Sequence, residues 1–374
     1  MMEPGIPSGA LCRAGPGPRI QDLSIRPYRL PLCRPWQSAR GMFGERLGWL
    51  VKAQSDGVVG YGDCAPLPAA GTESPERSAR ALAAWETRLR GMDIDTALSL
   101  LAGGPGAAPS AVTALECSLL DLQSRLFGHS LRRWIAAGAG VPDWVSVNAA
   151  LGAVGTVGAA DIALACEDGL GVLKLKVGLT DPDSELVRLA EIARALPRGV
   201  RLRLDANGAW DGNTAARVIS VLNDLPVESL EEPLRVPRPG TLTRLQSLAD
   251  FPLALDESLP PLLARLGQAP LPVRRAVLKP PVIGGLRATL TLARRLQESG
   301  TEVVLTSLVE SAAGLWATAQ LAAAIGSPLH HGLDTARWLA SDLGPAPIPQ
   351  SGRIRLPDGP GSGFHPYVRG ADHE

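Results

Sequence analysis

Five short apolar segments of this chain end in charged or amide residues that a buried strand is not expected to carry. These residues are Lys174 and Lys176, Asp205 and Asn207, Glu231 and Glu232, Asp256 and Glu257, and Lys279. Successive positions lie roughly 25 to 30 residues apart, the length of one strand, one helix and two short loops. At one end of a parallel sheet, these side chains would form a metal site flanked by bases.

Three of the carboxylates come from three consecutive predicted strands. The first strand ends in Asp205, the second in Glu231 or Glu232, and the third in Asp256 or Glu257. Together they offer three hard oxygen ligands with no nearby His or Cys. Such a set suits Mg²⁺, for which Mn²⁺ can substitute, with water and substrate completing the coordination. Strand parity alone does not decide which member of each adjacent pair points inward.

The lysines suggest proton transfer. Lys176 and Lys279 lie on predicted strands far apart in the sheet, so they could flank one bound substrate, and Lys174 shares the face of Lys176. A lysine beside a metal and other cations can have its pKa lowered toward neutrality, as abstraction of a proton α to a carboxylate requires. The metal would stabilise the resulting enediolate. The alternative for Lys279 is a structural ion pair with Glu257 or Asp256.

The elements that position these residues alternate regularly from Val145 onward. Helical patterns such as 184–195, 214–222 and 286–298 separate the strand candidates. This alternation predicts a parallel sheet, and seven or eight units predict a closed barrel with its active site at the carboxyl ends of the strands. The strand candidates are 145–149, 172–177, 201–205, 227–231, 252–256, 276–279 and 303–306.

The residues before the barrel predict a separate α+β domain. Strands over 25–32, 47–53 and 58–61, with a turn at 55–57, precede helices that begin near Pro75 and Pro109. The predicted divisions are a flexible extension (1–19), a capping domain (20–140), the barrel (141–340) and a segment that returns to the capping domain (341–374).

The composition excludes several classes of function. The chain has 37 basic and 37 acidic residues, which argues against nucleic acid or an anionic membrane as the main partner. No apolar run is long enough for a transmembrane helix, and residues 1–18 lack a signal-peptide core. Five scattered cysteines fit a reducing cytoplasm. We therefore expect a cytoplasmic enzyme with a small-molecule carboxylate substrate, either a monomer or a homo-oligomer.

Residues 20 to 340 resemble the enolase superfamily, in its muconate-lactonizing subgroup. The motifs that carry this resemblance are Lys174-x-Lys176, Asp205-x-Asn207, Glu231-Glu232-Pro233, Asp256-Glu257-Ser258 and Lys279-Pro280. Within the superfamily the chain is similar to the proteobacterial branch of the o-succinylbenzoate synthases. The segments that carry this closer similarity are 62–68 (GDCAPLP), 203–210 (RLDANGAW), 307–311 (SLVES) with Gly314-Leu315, and 332–335 (GLDT).

The resemblance implies a capping domain over a modified (β/α)₇β barrel, and a dehydration of 2-succinyl-6-hydroxy-2,4-cyclohexadiene-1-carboxylate in menaquinone biosynthesis. It implies Mg²⁺ held by Asp205, Glu231 and Asp256, with Glu232 and Glu257 as supporting residues that pair with lysines. Lys176 would take the α-proton and return it to the departing hydroxyl, while Lys279 would stabilise the enediolate. Lys174 would contact the carboxylate and depress the pKa of Lys176. Arg203 and the Ser307 region would support the site or contact the succinyl tail.

The same motifs also fit other reactions. A dipeptide epimerase or an N-succinylamino-acid racemase would use the two lysines as opposed bases, and muconate-type cycloisomerisation is a third possibility. An epimerase for dipeptides needs an acidic pair near the last strand to hold the α-ammonium group, and only Asp334 is evident there. A barrel that binds a carboxylate without turnover would be expected to have lost a lysine or a metal ligand.

Overall fold

The computed structural model describes residues 17–38, 41–103, 108–138 and 140–368. The predicted extension, residues 1–19, therefore lies almost entirely outside the described residues. The described chain forms an antiparallel sheet with helices, followed by a long parallel sheet with helices between its strands.

The first sheet is a meander of three antiparallel strands: β1 (Asp22–Ser38), β2 (Gly41–Ser55) and β3 (Val58–Cys64). A two-residue turn joins β2 to β3 where the sequence predicted one. Asp56 has φ +48° and Gly57 has φ +75°, the left-handed pair that a tight hairpin turn needs.

Four helices follow the meander: α1 (Pro75–Leu89), α2 (Ile94–Ala102), α3 (Pro109–Leu126) and α4 (Leu131–Ala136). β3 packs directly on the buried helix α3. A Cβ atom at Gly60 or Gly62 would fall on the backbone carbonyls of Ser118 or Ala114. Glycine at these two positions is therefore what allows the sheet to approach the helix so closely.

The second sheet holds seven parallel strands, and their order across the sheet is the reverse of their order along the chain. The segment 331–332 connects the two edges of this sheet through isolated β-bridges. His331 pairs with Val147 at one edge, and Gly332 pairs with Thr306 at the other. The sheet thus curls into the predicted barrel. Its strands are β5 (Ala149–Ala153), β6 (Val172–Lys176), β7 (Arg201–Asp205), β8 (Val227–Glu231), β9 (Leu253–Leu255), β10 (Arg275–Leu278) and β11 (Glu302–Leu305).

Helices connect these strands, as the alternating pattern predicted. No helix in the described ranges combines the length and apolar character needed to cross a bilayer. The helices are α5 (Ala159–Glu167), α6 (Pro182–Ala195), α7 (Gly212–Leu222), α8 (Pro239–Leu248), α9 (Leu259–Leu266), α10 (Pro280–Ile283), α11 (Leu286–Glu298) and α12 (Ala312–Ile325).

One predicted barrel strand is only partly correct. The sequence predicted a strand over 145–149, but Val145 belongs to β4 (Trp144–Ser146), which pairs antiparallel with β12 (Arg353–Arg355). The first barrel strand, β5, begins only at Ala149. An apolar run shows that a strand is present but does not show its partner.

The C-terminal segment also contacts the first part of the chain. The Phe364 ring packs edge-on against Tyr61 of β3, with 5.3 Å between centroids. The Phe364 backbone carbonyl accepts a hydrogen bond from Arg125 (2.9 Å), and the Ser362 N–H donates to Asp121 of α3 (2.6 Å). The exact domain divisions remain predictions.

Candidate active site

A cavity of about 360 Å³ lies at the carboxyl ends of the barrel strands. β1 and β2 supply the facing wall through residues such as Arg34, Trp36 and Phe43. Eight of the predicted site residues line this cavity, although they are spread over more than 130 positions of the chain. They are Lys174, Lys176, Asp205, Asn207, Asp256, Glu257, Lys279 and Ser307.

β6 ends in the two lysines, which point to the same side as strand geometry requires. The Lys176 Nζ donates to Asp205 Oδ2 (2.6 Å) and to Asn207 Oδ1 (2.7 Å). The Lys174 Nζ donates to Glu231 Oε2 (2.6 Å) and lies 2.9 Å from the same Asp205 oxygen. One carboxylate oxygen is therefore shared by two ammonium groups.

Lys279 faces the same cavity from the other side of the curled sheet. It follows β10, and three strands (β7, β8 and β9) separate β10 from β6 in the sheet. Its Nζ is hydrogen-bonded to Asp256 Oδ2. The ion pair that the sequence left open as an alternative is thus present, and the same lysine also lines the cavity.

The carboxylates at this site hold Lys174 and Lys279 in their ionised forms. Burial disfavours the ammonium group of Lys174, but the carboxylates of Asp205, Glu231 and Asp256 outweigh it and raise the lysine pKa. Burial acts likewise on Lys279, where Asp256 is the main opposing charge and the pKa is again raised. A lysine pKa lowered toward neutrality therefore requires another cation to take over these carboxylates.

The three predicted metal ligands lie at or just beyond the ends of neighbouring strands β7, β8 and β9. Among the described residues, no three acidic, His or Cys side chains lie close enough together to hold a metal ion. The carboxylates of this site form ion pairs with the lysines instead. The donor types nevertheless fit Mg²⁺. Glu231 Oε1 is buried and has no hydrogen-bond partner in the described part of the chain, and a carboxylate oxygen left in this way suits a cation.

Two predicted supporting acids bind partners other than lysines. Glu232 accepts hydrogen bonds from the backbone N–H groups of Asp256 (2.7 Å) and Ser258 (2.9 Å), and from the Ser258 hydroxyl (2.7 Å). It therefore shapes the turn that carries Asp256. Glu257 accepts from Asn207 Nδ2 (3.3 Å), the residue that also binds Lys176. Glu232 forms no ion pair with a lysine of the described ranges, which corrects the prediction for that residue, whereas the charge of Glu257 helps to raise the pKa of Lys279.

Of the two roles predicted for Arg203, its position fits support of the site and not contact with the substrate. It points inward, but it is two residues earlier on β7 than Asp205 and lies deeper in the barrel, outside the cavity lining. Its guanidinium binds Glu228 (3.0 Å), Asn148 Oδ1 (2.9 Å) and the His330 carbonyl (2.9 Å). Strand parity predicted its direction correctly, but parity carries no information about depth.

Ser307 lies in the cavity wall after β11, where its hydroxyl is hydrogen-bonded to that of Thr335 (2.6 Å). The last barrel segment adds Gly332 and Thr335 to this wall. Asp334 lies between them but is buried and accepts from Arg337 Nε (2.7 Å). A Cβ atom at Gly332 would overlap the Thr306 side chain. The wall near the last segment is therefore neutral.

Sequence reasoning missed the wall contributed by β1 and β2. Trp36 meets Trp338 edge-on, with 4.7 Å between ring centroids, and the guanidinium of Arg34 lies 4.4 Å from the Trp338 centroid. These residues reach the barrel only through tertiary packing, so no local pattern identified them. The rarity of lysine is a signal that could have strengthened the site prediction. The chain has only four lysines, and three of them lie in this site.

The sequence itself decides the family. The family described as "Enolase C-terminal domain-like" matches residues 159–369, more than half of the chain. The chain belongs to the enolase superfamily. The matched residues include every strand from β6 to β12. They therefore contain the three predicted metal ligands and the three predicted site lysines of this superfamily member.

Two curated relatives carry different names. An o-succinylbenzoate synthase from Desulfotalea psychrophila is 28% identical over 359 residues, which cover 86% of this chain and 95% of that protein. An L-Ala-D/L-Glu epimerase from Bacillus subtilis is 27% identical over 358 residues, which cover 90% of this chain and 93% of that protein.

Solved structures support the fold. A muconate lactonizing enzyme from Pseudomonas fluorescens, complexed with muconolactone, superposes with a TM-score of 0.83 at 24% identity, covering 94% of this chain and 97% of that one. A dipeptide epimerase from Enterococcus faecalis V583, complexed with Mg and the dipeptide L-Leu-L-Tyr, gives a TM-score of 0.82 at 22% identity, covering 92% and 99%.

Proposed function

We propose that this superfamily member is a Mg²⁺-dependent lyase of the o-succinylbenzoate synthase type. It dehydrates 2-succinyl-6-hydroxy-2,4-cyclohexadiene-1-carboxylate to o-succinylbenzoate through an enediolate, a step of menaquinone biosynthesis. The observation that carries the proposal is the pair of lysines, Lys176 and Lys279, that line one cavity from separate parts of the barrel with Asp205 and Asp256 beside them.

The proposed roles follow from these positions. Neutral Lys176 removes the proton α to the ring carboxylate, and the ammonium group so formed returns that proton to the departing hydroxyl. One C–H bond and one C–O bond break, water leaves, and the ring becomes aromatic. The Lys279 ammonium stabilises the negative charge of the enediolate from the other side, and Lys174 contacts the substrate carboxylate.

Asp205, Glu231 and Asp256 would hold the metal, with Mn²⁺ able to substitute. Bound Mg²⁺ supplies the Lewis-acid charge that makes the proton next to the carboxylate more acidic. Glu232 fixes the backbone around Asp256, and Asn207 ties Lys176 to Glu257. These residues hold the ligands and the base in one arrangement before substrate arrives.

The neutral wall near the last segment favours the synthase reaction over dipeptide epimerisation. A dipeptide brings an α-ammonium group that needs acidic partners there. Gly332 has no room for a side chain, and Asp334 binds Arg337 and is not part of the cavity lining. A succinyl-bearing substrate brings no such cation. The second candidate is an N-succinylamino-acid racemase, whose substrates also lack a free ammonium group and would use the same two lysines.

A competition in D₂O separates these reactions. Purified protein with Mg²⁺ is given the cyclohexadiene substrate, N-succinylamino acids and dipeptides, and proton NMR follows o-succinylbenzoate formation and deuterium entry at each α-carbon. We expect fast dehydration and no exchange in dipeptides. Exchange in N-succinylamino acids without dehydration would make the racemase the function, and exchange in dipeptides would overturn the proposed specificity.

A further inference from the structure

The cations that line the cavity are not equally neutralised. Among the described residues, these cations are Arg34, Lys174, Lys176 and Lys279. Each lysine is in contact with a carboxylate, as described above. Arg34 forms neither an ion pair nor a hydrogen bond with another residue of the described ranges, and its side chain is exposed to the cavity mouth. Within the described residues, the cavity therefore has paired charges at its barrel end and a positive charge without an ionic partner at the opposite end.

Arg34 is held in position by stacking. Its guanidinium lies over the Trp338 ring, and Trp338 is itself buried against Trp36. Stacking on an aromatic face restrains the plane of a guanidinium while leaving its N–H groups at the edge free to donate. This arrangement presents a restrained fork of donors that no residue of the described ranges occupies, and such a fork recognises a carboxylate through two parallel hydrogen bonds.

We propose that Arg34 binds the distal carboxylate of the succinyl chain. The inference rests on the proposed function, whose substrate carries two carboxylates joined through apolar carbon atoms. The ring carboxylate belongs at the end with the lysines and the metal ligands. The second carboxylate then extends toward β1, and the apolar walls formed by Phe43, Leu308 and Val309 accommodate the methylene groups between. Arg34 would make this cavity selective for dicarboxylates.

Isothermal titration in Mg²⁺ with matched ligands tests this role. The ligand pairs are o-succinylbenzoate with 2-butyrylbenzoate, and N-succinylphenylglycine with N-butyrylphenylglycine, in which a methyl group replaces the distal carboxylate. We expect the wild type to prefer the succinyl ligands by about tenfold to a hundredfold. Arg34→Gln should lose this preference, and Arg34→Lys should keep part of it. Arg29→Gln is the control, since Arg29 lies on the same strand but pairs with Glu45 outside the cavity lining.

The outcomes separate the two proposals. If the wild type prefers the succinyl ligands and Arg34→Gln preserves that preference, the role of Arg34 is overturned while the proposed function stands. If Arg34→Gln weakens the binding of the succinyl ligand and of its butyryl counterpart equally, Arg34 supports the cavity wall and does not bind the distal carboxylate. If the wild type binds neither succinyl ligand, the proposed function and the Arg34 inference fail together.

Discussion

At the scale of single residues, the choice between lysine and arginine is informative. The chain has 37 basic residues, of which only four are lysines, and Lys174, Lys176 and Lys279 all lie at one cavity. Arginine stays protonated in proteins, whereas a lysine can give up and regain its proton when its surroundings change. Lysine at these three positions therefore fits proton transfer better than charge pairing alone.

Replacing Lys176 by alanine should remove activity and leave the fold. A general base contributes about 10²- to 10⁴-fold to a rate, so we expect at least about a hundredfold loss in kcat with an unchanged circular dichroism spectrum. Lys52→Ala is the matched control, because Lys52 lies on β2 and is not part of the cavity lining. Near-normal turnover by Lys176→Ala would remove Lys176 as the base.

Asp256→Asn should weaken Mg²⁺ binding, because it removes one negative charge from the proposed ligand set. We expect at least about a tenfold rise in the Kd for Mg²⁺, measured by isothermal titration without substrate. Asp183→Asn provides the control, since Asp183 is an exposed acid paired with Arg217. Equal Mg²⁺ affinity in all three proteins would show that Asp256 is not a ligand.

At the scale of elements, Arg46 of β2 joins the two parts of the cavity wall. Its buried guanidinium donates to the backbone carbonyls of Ala65 (2.6 Å) and Pro66 (3.1 Å) after β3, and of Val309 (3.2 Å) after β11. Val309 has φ +59°, a conformation that its branched side chain disfavours. One side chain thus holds loops from both halves of the chain.

Arg46→Met should therefore destabilise the protein and loosen the cavity. Three buried carbonyls lose their donor, and we expect a loss of at least about 2 kcal/mol in the free energy of unfolding. Urea unfolding measures this loss, and KM should rise more than kcat falls. Arg29→Met, on the exposed face of β1, serves as the control. Unchanged stability and KM would mean that the two loops hold their positions without Arg46.

At the scale of the whole molecule, a buried charge cluster ties the barrel strands together below the cavity. Glu228 on β8 binds Arg203 on β7 (3.0 Å) and Arg275 on β10, whose guanidinium also lies 2.8 Å from Glu302 on β11. Burial alone would raise the pKa of Glu228, but Arg203 and Arg275 outweigh it and lower the pKa to about 2. The cluster therefore favours the ionised carboxylate in the folded barrel.

This depressed pKa predicts how acid destabilises the barrel. Unfolded Glu228 titrates near 4.5, so its stabilising effect is complete above that pH and is lost as the pH falls toward 2. The shift corresponds to about 3 kcal/mol. Glu228→Gln should lower the free energy of unfolding at pH 7 and flatten its decline between pH 5 and pH 2. A decline as steep as that of the wild type, measured by urea unfolding, would contradict the prediction.

The sequence predicted the barrel and most of the site because both depend on local patterns. Alternating strands and helices place Lys176, Asp205 and Asp256 at one end of a parallel sheet whatever the details of packing. The sequence mispredicted or left open those features that depend on contacts between distant parts of the chain. Val145 pairs with Ile354, more than 200 residues away, and Arg203 binds partners on other strands. The same limit hid Arg34, which reaches the cavity only after two domains meet.

The initial rate of o-succinylbenzoate formation tests the central claim most directly. Purified protein with Mg²⁺ is mixed with the cyclohexadiene substrate, and the loss of diene absorbance is followed beside a sample containing EDTA. We predict a rate more than about 10⁶-fold above the buffer reaction, which EDTA abolishes and added Mg²⁺ restores. A folded, Mg²⁺-bound protein that leaves the diene at its buffer rate would contradict the proposed function.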